Sequence, residues 1–199
     1  MRHLFILKDF KKTWTVKGGI DAHRLLEGRL KKHAPLPPEL QGAEAFCQSL
    51  EADGTPVECE VSLAVTHEIE PTSFWHPTAW LRGKFDVIKR NPDKRKAFIG
   101  DWKTGKRRES DEQLAIGADM LMATDQSIDT VTGANIWLSD GGLGTPYVFT
   151  RQEKSKRWAP LIKRLREIEA RNPAHEWEKR EGPLCRYCPV KTCSNYCGG

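Results

Sequence analysis

Apolar and polar positions along the chain recur with two different periods, and each change of period marks an element. In GIDAHRLLEGRLKK (residues 19–32), Ile20, His23, Leu26 and Leu30 fall at helical spacing, which predicts a helix ended by the Pro-rich HAPLPPEL. A second amphipathic helix is expected over about 39–52, with Leu40, Ala43, Phe46, Cys47 and Leu50 on one face. The period then drops to two. In PVECEVSLAV, Val57, Cys59, Val61, Leu63 and Val65 point one way and Glu58, Glu60 and Ser62 the other, as in a half-buried strand.

AWLRGKFDVIK and KAFIGDWKTG read as two more strands, and Asn91-Pro92-Asp93-Lys94 between them fits a type I turn. A hairpin centred there pairs 91 with 94, 90 with 95 and 86 with 99. Parity then puts Asp86 on the face of Ile99, Asp101 and Lys103, with Asp86 and Asp101 diagonal neighbours roughly 7–8 Å apart. Ser110-Asp111-Glu112-Gln113 opens a helix to about residue 123, with Leu114, Ala118, Leu121 and Met122 facing inward. Strands are expected over 130–138 and 146–149. Thr150-Arg151-Gln152-Glu153 resembles a capping box that opens a long helix to about 171, which Pro160 is expected to kink or divide. There is no internal repeat. Helices, three strands, a helix, a strand pair and a helix make a mixed α/β layer fold.

At 199 residues the chain can bury one core, with at most a small appendage. The apolar run in MRHLFILKDFKK is too short and too charge-flanked for a signal peptide, and no stretch approaches a membrane span. Cytoplasm is therefore the expected compartment, and cysteines there are more often thiols or metal ligands than disulfides. The net charge of +5 is small but unevenly spread. Residues 34–81 hold no Lys or Arg, whereas 82–108 hold eleven against Asp86, Asp93 and Asp101. Such segregation suits a polyanion, although an unevenly charged solvated surface would look the same. The acidic 34–81 segment could equally dock a protein.

Asp86, Asp101 and Lys103 carry the chemistry. Two carboxylates on one buried face need a cation between them to stay ionised, and hard oxygen ligands select Mg²⁺ or Mn²⁺. Such an ion polarises a phosphodiester oxygen and acidifies bound water, and Lys103 can orient that water or offset developing charge. From Asp-x-Lys alone, a salt bridge at a strand end is the competing reading.

GKFDVI, then DWKTGK with its aspartate fifteen residues after Asp86, then EQLAIGADM, together resemble the PD-(D/E)xK nuclease superfamily. Within it the similarity is to the RecB-like branch, including phage exonucleases and the iron–sulfur nucleases of CRISPR adaptation. It covers about residues 19–197. The resemblance implies a restriction-endonuclease-like mixed central sheet flanked by helices, with a C-terminal cysteine-rich metal-binding tail. It puts a metal-binding histidine at His23, in GGIDAHRLLEGRL, and matches Glu60 to the glutamate that precedes the metal aspartate. Asp86 matches that aspartate, with Phe85 where the family name has Pro. Asp101 and Lys103 match the (D/E)xK pair, and Gln113 the glutamine that positions DNA or the lysine. Read on their own, His23 is more often a packing residue, Glu60 is equally a solvated one, and Gln113 also serves as the partner of Ser110 in a capping box. The pattern departs from the family at Gly117, where a tyrosine is usual. It departs again at MRHLFILKDF, which stands where the family has a helix with a Cys-Pro-Arg cysteine.

PLCRYCPVKTCSNYC spaces Cys185, Cys188, Cys193 and Cys197 as C-x2-C-x4-C-x3-C, close enough in sequence to surround one metal. In the resembling nucleases three tail cysteines and an N-terminal one hold a [4Fe–4S] cluster. Here Cys197 is the natural fourth ligand, with Cys47 a distant second, and Zn²⁺ is the alternative. The expected organisation is a nuclease domain over 1–180 and a tail over 181–199 packed on it. The expected function is a metal-dependent DNA nuclease, an exonuclease of recombination, repair or phage DNA processing. Its expected partners are single-stranded or duplex DNA ends and a recombination or replication protein, with no membrane. The alternative is a non-catalytic nucleic-acid-binding module on the same scaffold. Trp75, Trp80 and Trp102 are candidates for stacking on unpaired bases, against the commoner fate of core packing.

Overall fold

The computed structural model describes residues 22–104, 107–138, 142–171 and 181–197. The first three residues of the first predicted helix, the MRHLFILKDF segment and Gly105-Lys106 lie outside these. Chain contacts define two compact units, Met1–Arg157 and Trp158–Gly199.

In the first unit, α1 (Ala22–Lys32) is followed by a 3-10 turn (Pro38–Ala43) and α2 (Glu44–Glu51). The predicted second helix is thus split, because Pro37 and Pro38 tighten its first turns. Then come β1 (Val57–Val65), β2 (Leu81–Asn91), β3 (Lys96–Lys103), α3 (Glu112–Thr124), β4 (Thr130–Trp137), β5 (Gly142–Leu143) and β6 (Tyr147–Thr150). The sheet runs β1-β2-β3-β4, with β5 and β6 both on the far side of β4. β3 and β4 are parallel, with α3 as their crossover, and every other pair is antiparallel. Two-residue β5 is too short for a periodicity to reveal, and the sequence reading missed it.

The two faces of the sheet are covered by different helices. Leu26 and Leu30 of α1 and Cys47 and Leu50 of α2 pack with Cys59, Val87, Trp102 and Ile136 in one apolar cluster. Arg29 clamps α1 to α2, donating from Nε to Glu44 at 2.9 Å and from Nη1 to Glu51 at 3.1 Å. Hydrogen bonds donated to Glu44 and Glu51 hold its pKa well above the ordinary arginine range. α3 covers the opposite face, where a Cβ at Gly133 would come within 3.1 Å of the Leu114 Cβ.

The β2–β3 hairpin differs from the expected register by two residues. Asn91 pairs with Lys96 and Val87 with Gly100, so Ile99 falls opposite Ile88 and not 86. The connection holds four residues, of which Pro92–Lys94 form a 3-10 turn and Arg95 takes a left-handed φ of 51°. Asn91 Oδ1 accepts the Lys94 N–H at 3.2 Å and stabilises the longer turn. A slip of two preserves parity, which keeps Ile88 beside Ile99 on the expected face, and the ladder ends at Val87↔Gly100, short of Asp86 and Asp101.

The expected alternation in β1 fails at Glu60, whose φ is 58°. The ladder passes from Cys59↔Val87 to Val61↔Phe85 across this point. On β2, Val87 belongs to the α1–α2 cluster, yet Phe85 lies against Gly117 of α3. Residues two apart share a face in a regular strand, so the sheet turns over at the Glu60–Asp86 level. Beyond it Leu63, Ala64 and Val65 are all buried, which no half-exposed strand would permit.

α4 (Lys154–Arg171) is one helix with Pro160 inside it, so of the expected kink or division the division does not occur. The eighteen residues are mostly strong helix formers, which offset a proline cost of about 3 kcal/mol. The second unit ends in turns and a 3-10 segment, Cys185–Tyr187.

Candidate active site

His23 is the second residue of α1, between the buried Ala22 and Leu26, and is carried to the sheet by that helix's apolar face. Its Nδ1 stands 3.2 Å from Asp86 Oδ1. The other Asp86 oxygen accepts the backbone N–H of Trp102 at 3.0 Å. Asp86 is 2% exposed, so its carboxylate fills the place where the β2–β3 ladder stops at Val87↔Gly100. Ligand atoms of His23, Glu60 and Asp86 lie within 4.8 Å of one another. Glu60 reaches this position from left-handed backbone, a conformation that costs a non-glycine residue about 1–3 kcal/mol and that clusters at functional sites. Its Oε2 is 2.5 Å from Lys84 Nζ, a partner the sequence reading did not single out.

Asp101 and Lys103 follow two and four residues after Ile99 on β3 and face α3. Lys103 Nζ is 2.7 Å from Asp101 Oδ2. Gln113, in the first turn of α3, bridges them: its Nε2 donates to Asp101 Oδ1 at 2.6 Å and its Oε1 accepts from Lys103 at 3.0 Å. The expected Ser110–Gln113 capping box gives way to this bridge. The helix's N-cap is Asp111, without a side-chain cap bond. Asp101 is not among the residues whose ligand atoms converge within 4.8 Å. It is 9% exposed and anchored to the lysine and the glutamine.

One nitrogen and two carboxylates suit a divalent cation: hard oxygens favour Mg²⁺ or Mn²⁺, and the imidazole tilts the set toward Mn²⁺. The donor set fits. The tail differs. Among the described residues its four sulfurs do not form a group of three within 4.8 Å. A closed tetrathiolate zinc site holds its sulfurs about 3.8 Å apart, given a Zn–S bond near 2.3 Å, so the tail as folded does not fit zinc.

Phe85 explains the departure at Gly117. Its ring is wedged between two glycines: a Cβ at Gly117 would stand 2.5 Å from the ring and one at Gly83 2.7 Å. The aromatic in place of proline and the glycine in place of tyrosine are one packing solution.

A mixed sheet with a helix on either face, an acidic pocket at its turning point and an Asp–Lys–Gln bridge beside it has the restriction-endonuclease-like architecture. The family model of the PD-(D/E)XK nuclease superfamily matches residues 15–194, and the chain belongs to that superfamily. Its members are typically metal-dependent nucleases, so the substrate class is nucleic acid. No curated protein matches the sequence significantly. Among solved structures, the crystal structure of SSO0001 is similar with a TM-score of 0.40 and 16% identity, over 79% of this chain and 67% of that one. No helix among the described residues is long and apolar enough to cross a membrane.

Proposed function

We propose that this chain is a DNA nuclease of the RecB-like branch, acting as an exonuclease on single-stranded or duplex ends in recombination, repair or phage DNA processing. The observation that carries the reading is the convergence of His23, Glu60 and Asp86 within 4.8 Å, beside an Asp101–Lys103 pair. A divalent ion in that pocket would polarise the scissile phosphate and acidify the attacking water. Asp101, one residue past the last β2–β3 pair at Val87↔Gly100, would add a second strand's carboxylate to the site. The Lys103 ammonium stands where it can orient the water and stabilise charge building on phosphorus. Gln113 keeps the ammonium and the carboxylate in register with each other. Water attacks phosphorus and gives up a proton to solvent, the P–O bond to the leaving sugar breaks, and the departing oxygen takes a proton from solvent.

The tail cysteines we read as ligands of a structural cluster. No side chain in 181–197 is buried, and Leu184, Tyr187 and Val190 are 76, 75 and 54% exposed. A segment without a core needs another source of order, and thiolates bridged through a cluster can stand farther apart than those around zinc. A recombination or replication protein remains the proposed partner.

The test is digestion of end-labelled single- and double-stranded DNA with Mg²⁺, Mn²⁺ or EDTA. Shortening from the ends in Mg²⁺ or Mn²⁺, absent in EDTA, is expected. Asp101→Ala should lose cleavage and retain DNA binding. Unchanged cleavage in that variant would remove Asp101 from the mechanism, and binding without turnover under either ion would leave only a binding module.

A further inference from the structure

We propose that Trp75 is a stacking platform for one unpaired base of the substrate strand. This rests on the nuclease reading only for the substrate being a polynucleotide. Three tryptophans were candidates for stacking, and their surroundings separate them. Trp102 is 3% exposed in the core, and Trp80 is half-buried with its ring 4.7 Å from that of His67. Trp75 is 79% exposed, above every other large apolar side chain described.

The exposure is held in place. Trp75 lies in the connection between β1 and β2, closed at its base by the Trp80 N–H bonding to Val65 at 2.9 Å and the Thr72 N–H to Ala64 at 3.1 Å. Arg82, 5% exposed, reaches up from β2 and donates to the carbonyls on either side of the tryptophan. Its Nε meets Phe74 O at 2.5 Å and its Nη2 meets His76 O at 3.2 Å. The Phe74 ring meets Trp75 edge-on, with centroids 4.9 Å apart and planes at 85°. A backbone pinned on both flanks and a ring steadied along one edge leave an aromatic surface open, with little entropy left to lose on binding.

The surroundings of the ring narrow the ligand. Arg82 precedes Asp86 by four residues on the same strand, a rise of roughly 13 Å, so the strand that pins the platform also carries the candidate site's buried aspartate. Lys84, the one exposed residue from Leu81 to Ile88, lies between them. The connection itself contains no Lys or Arg and carries Glu68 and Glu70. That surface offers nothing to phosphates, single-strand or duplex, so the attraction it holds is the tryptophan face for a base. Bases within a duplex are stacked on each other, so the occupant is an unpaired nucleotide, and stacking accepts any base.

The experiment measures fluorescence anisotropy of labelled oligonucleotides in EDTA, where cleavage does not interfere. Trp75→Ala should weaken single-strand binding about 5- to 150-fold, the range for loss of one stacked base, with Trp75→Phe close to wild type and blunt-duplex binding unchanged. An abasic residue scanned along the oligonucleotide should weaken wild-type binding at one position and leave Trp75→Ala indifferent there. Single-strand affinity unchanged in Trp75→Ala, equal losses for single strand and duplex, or an abasic scan with no such position would each overturn the proposal. Because the readout needs no metal, failure of DNA cleavage and failure of this inference are separate results. Thermal melting confirms that the variant, altered at an exposed position, is folded.

Discussion

Gln113 Nε2 donates to Asp101 Oδ1 at 2.6 Å, which ties the first turn of α3 to the end of β3. Lysine can only donate and a carboxylate only accept, so the two partners fix which way the amide points. Gln113→Ala frees both groups. It is expected to lower the cleavage rate about 10- to 100-fold, as for other side chains that orient a catalytic shell, with substrate binding nearly unchanged. Gln113→Glu should do worse, because it sets a like charge against Asp101. Single-turnover kinetics at saturating enzyme separates the rate from binding.

His23 supplies the one nitrogen ligand of the His23–Glu60–Asp86 group and comes from a different layer of the fold than the two carboxylates. His23→Ala should therefore weaken Mn²⁺ binding by at least about tenfold and narrow the preference for Mn²⁺ over Mg²⁺. Isothermal titration with each ion measures both effects. Equal affinity in the variant would make His23 a packing residue.

The Phe85 ring leaves no room for a side chain at Gly117, and Gly83 with Met120 beyond it blocks the ring's retreat. Gly117→Ala should cost about 1–3 kcal/mol, which lowers the melting temperature by roughly 2–12 °C. In a Phe85→Leu background the same change should be neutral or stabilising, since alanine gains about 1 kcal/mol over glycine in a helix.

Burial pushes the Cys47 and Cys59 thiols up to about 11. At pH 8 only about a thousandth of each is thiolate, the reactive form. The four tail cysteines are half-exposed or exposed. Chelator-treated native protein should thus release four equivalents of thiol to a disulfide reagent, and six only in denaturant. A count of six under native conditions would show that the α1–α2 face of the sheet opens readily.

Local chemistry determined much of this molecule in ways its sequence displays. The strand periods of GKFDVIK and AFIGDWK, and the helical period after Ser110, mark β2, β3 and α3. Asp101 and Lys103, two apart on a strand, had to share a side. The Asn-Pro-Asp-Lys turn was legible as a turn, but its length was not, because the left-handed Arg95 and the Asn91 side chain set the register together. Tertiary structure alone decided that β1 and β2 turn over at Glu60 and Asp86, that α1 delivers His23 to Asp86, and that Phe85 and Gly117 answer each other. Periodicity records which side of one element is buried. It carries no information about which other element arrives there, and a backbone kink such as Glu60 persists only because packing on both faces outweighs its strain.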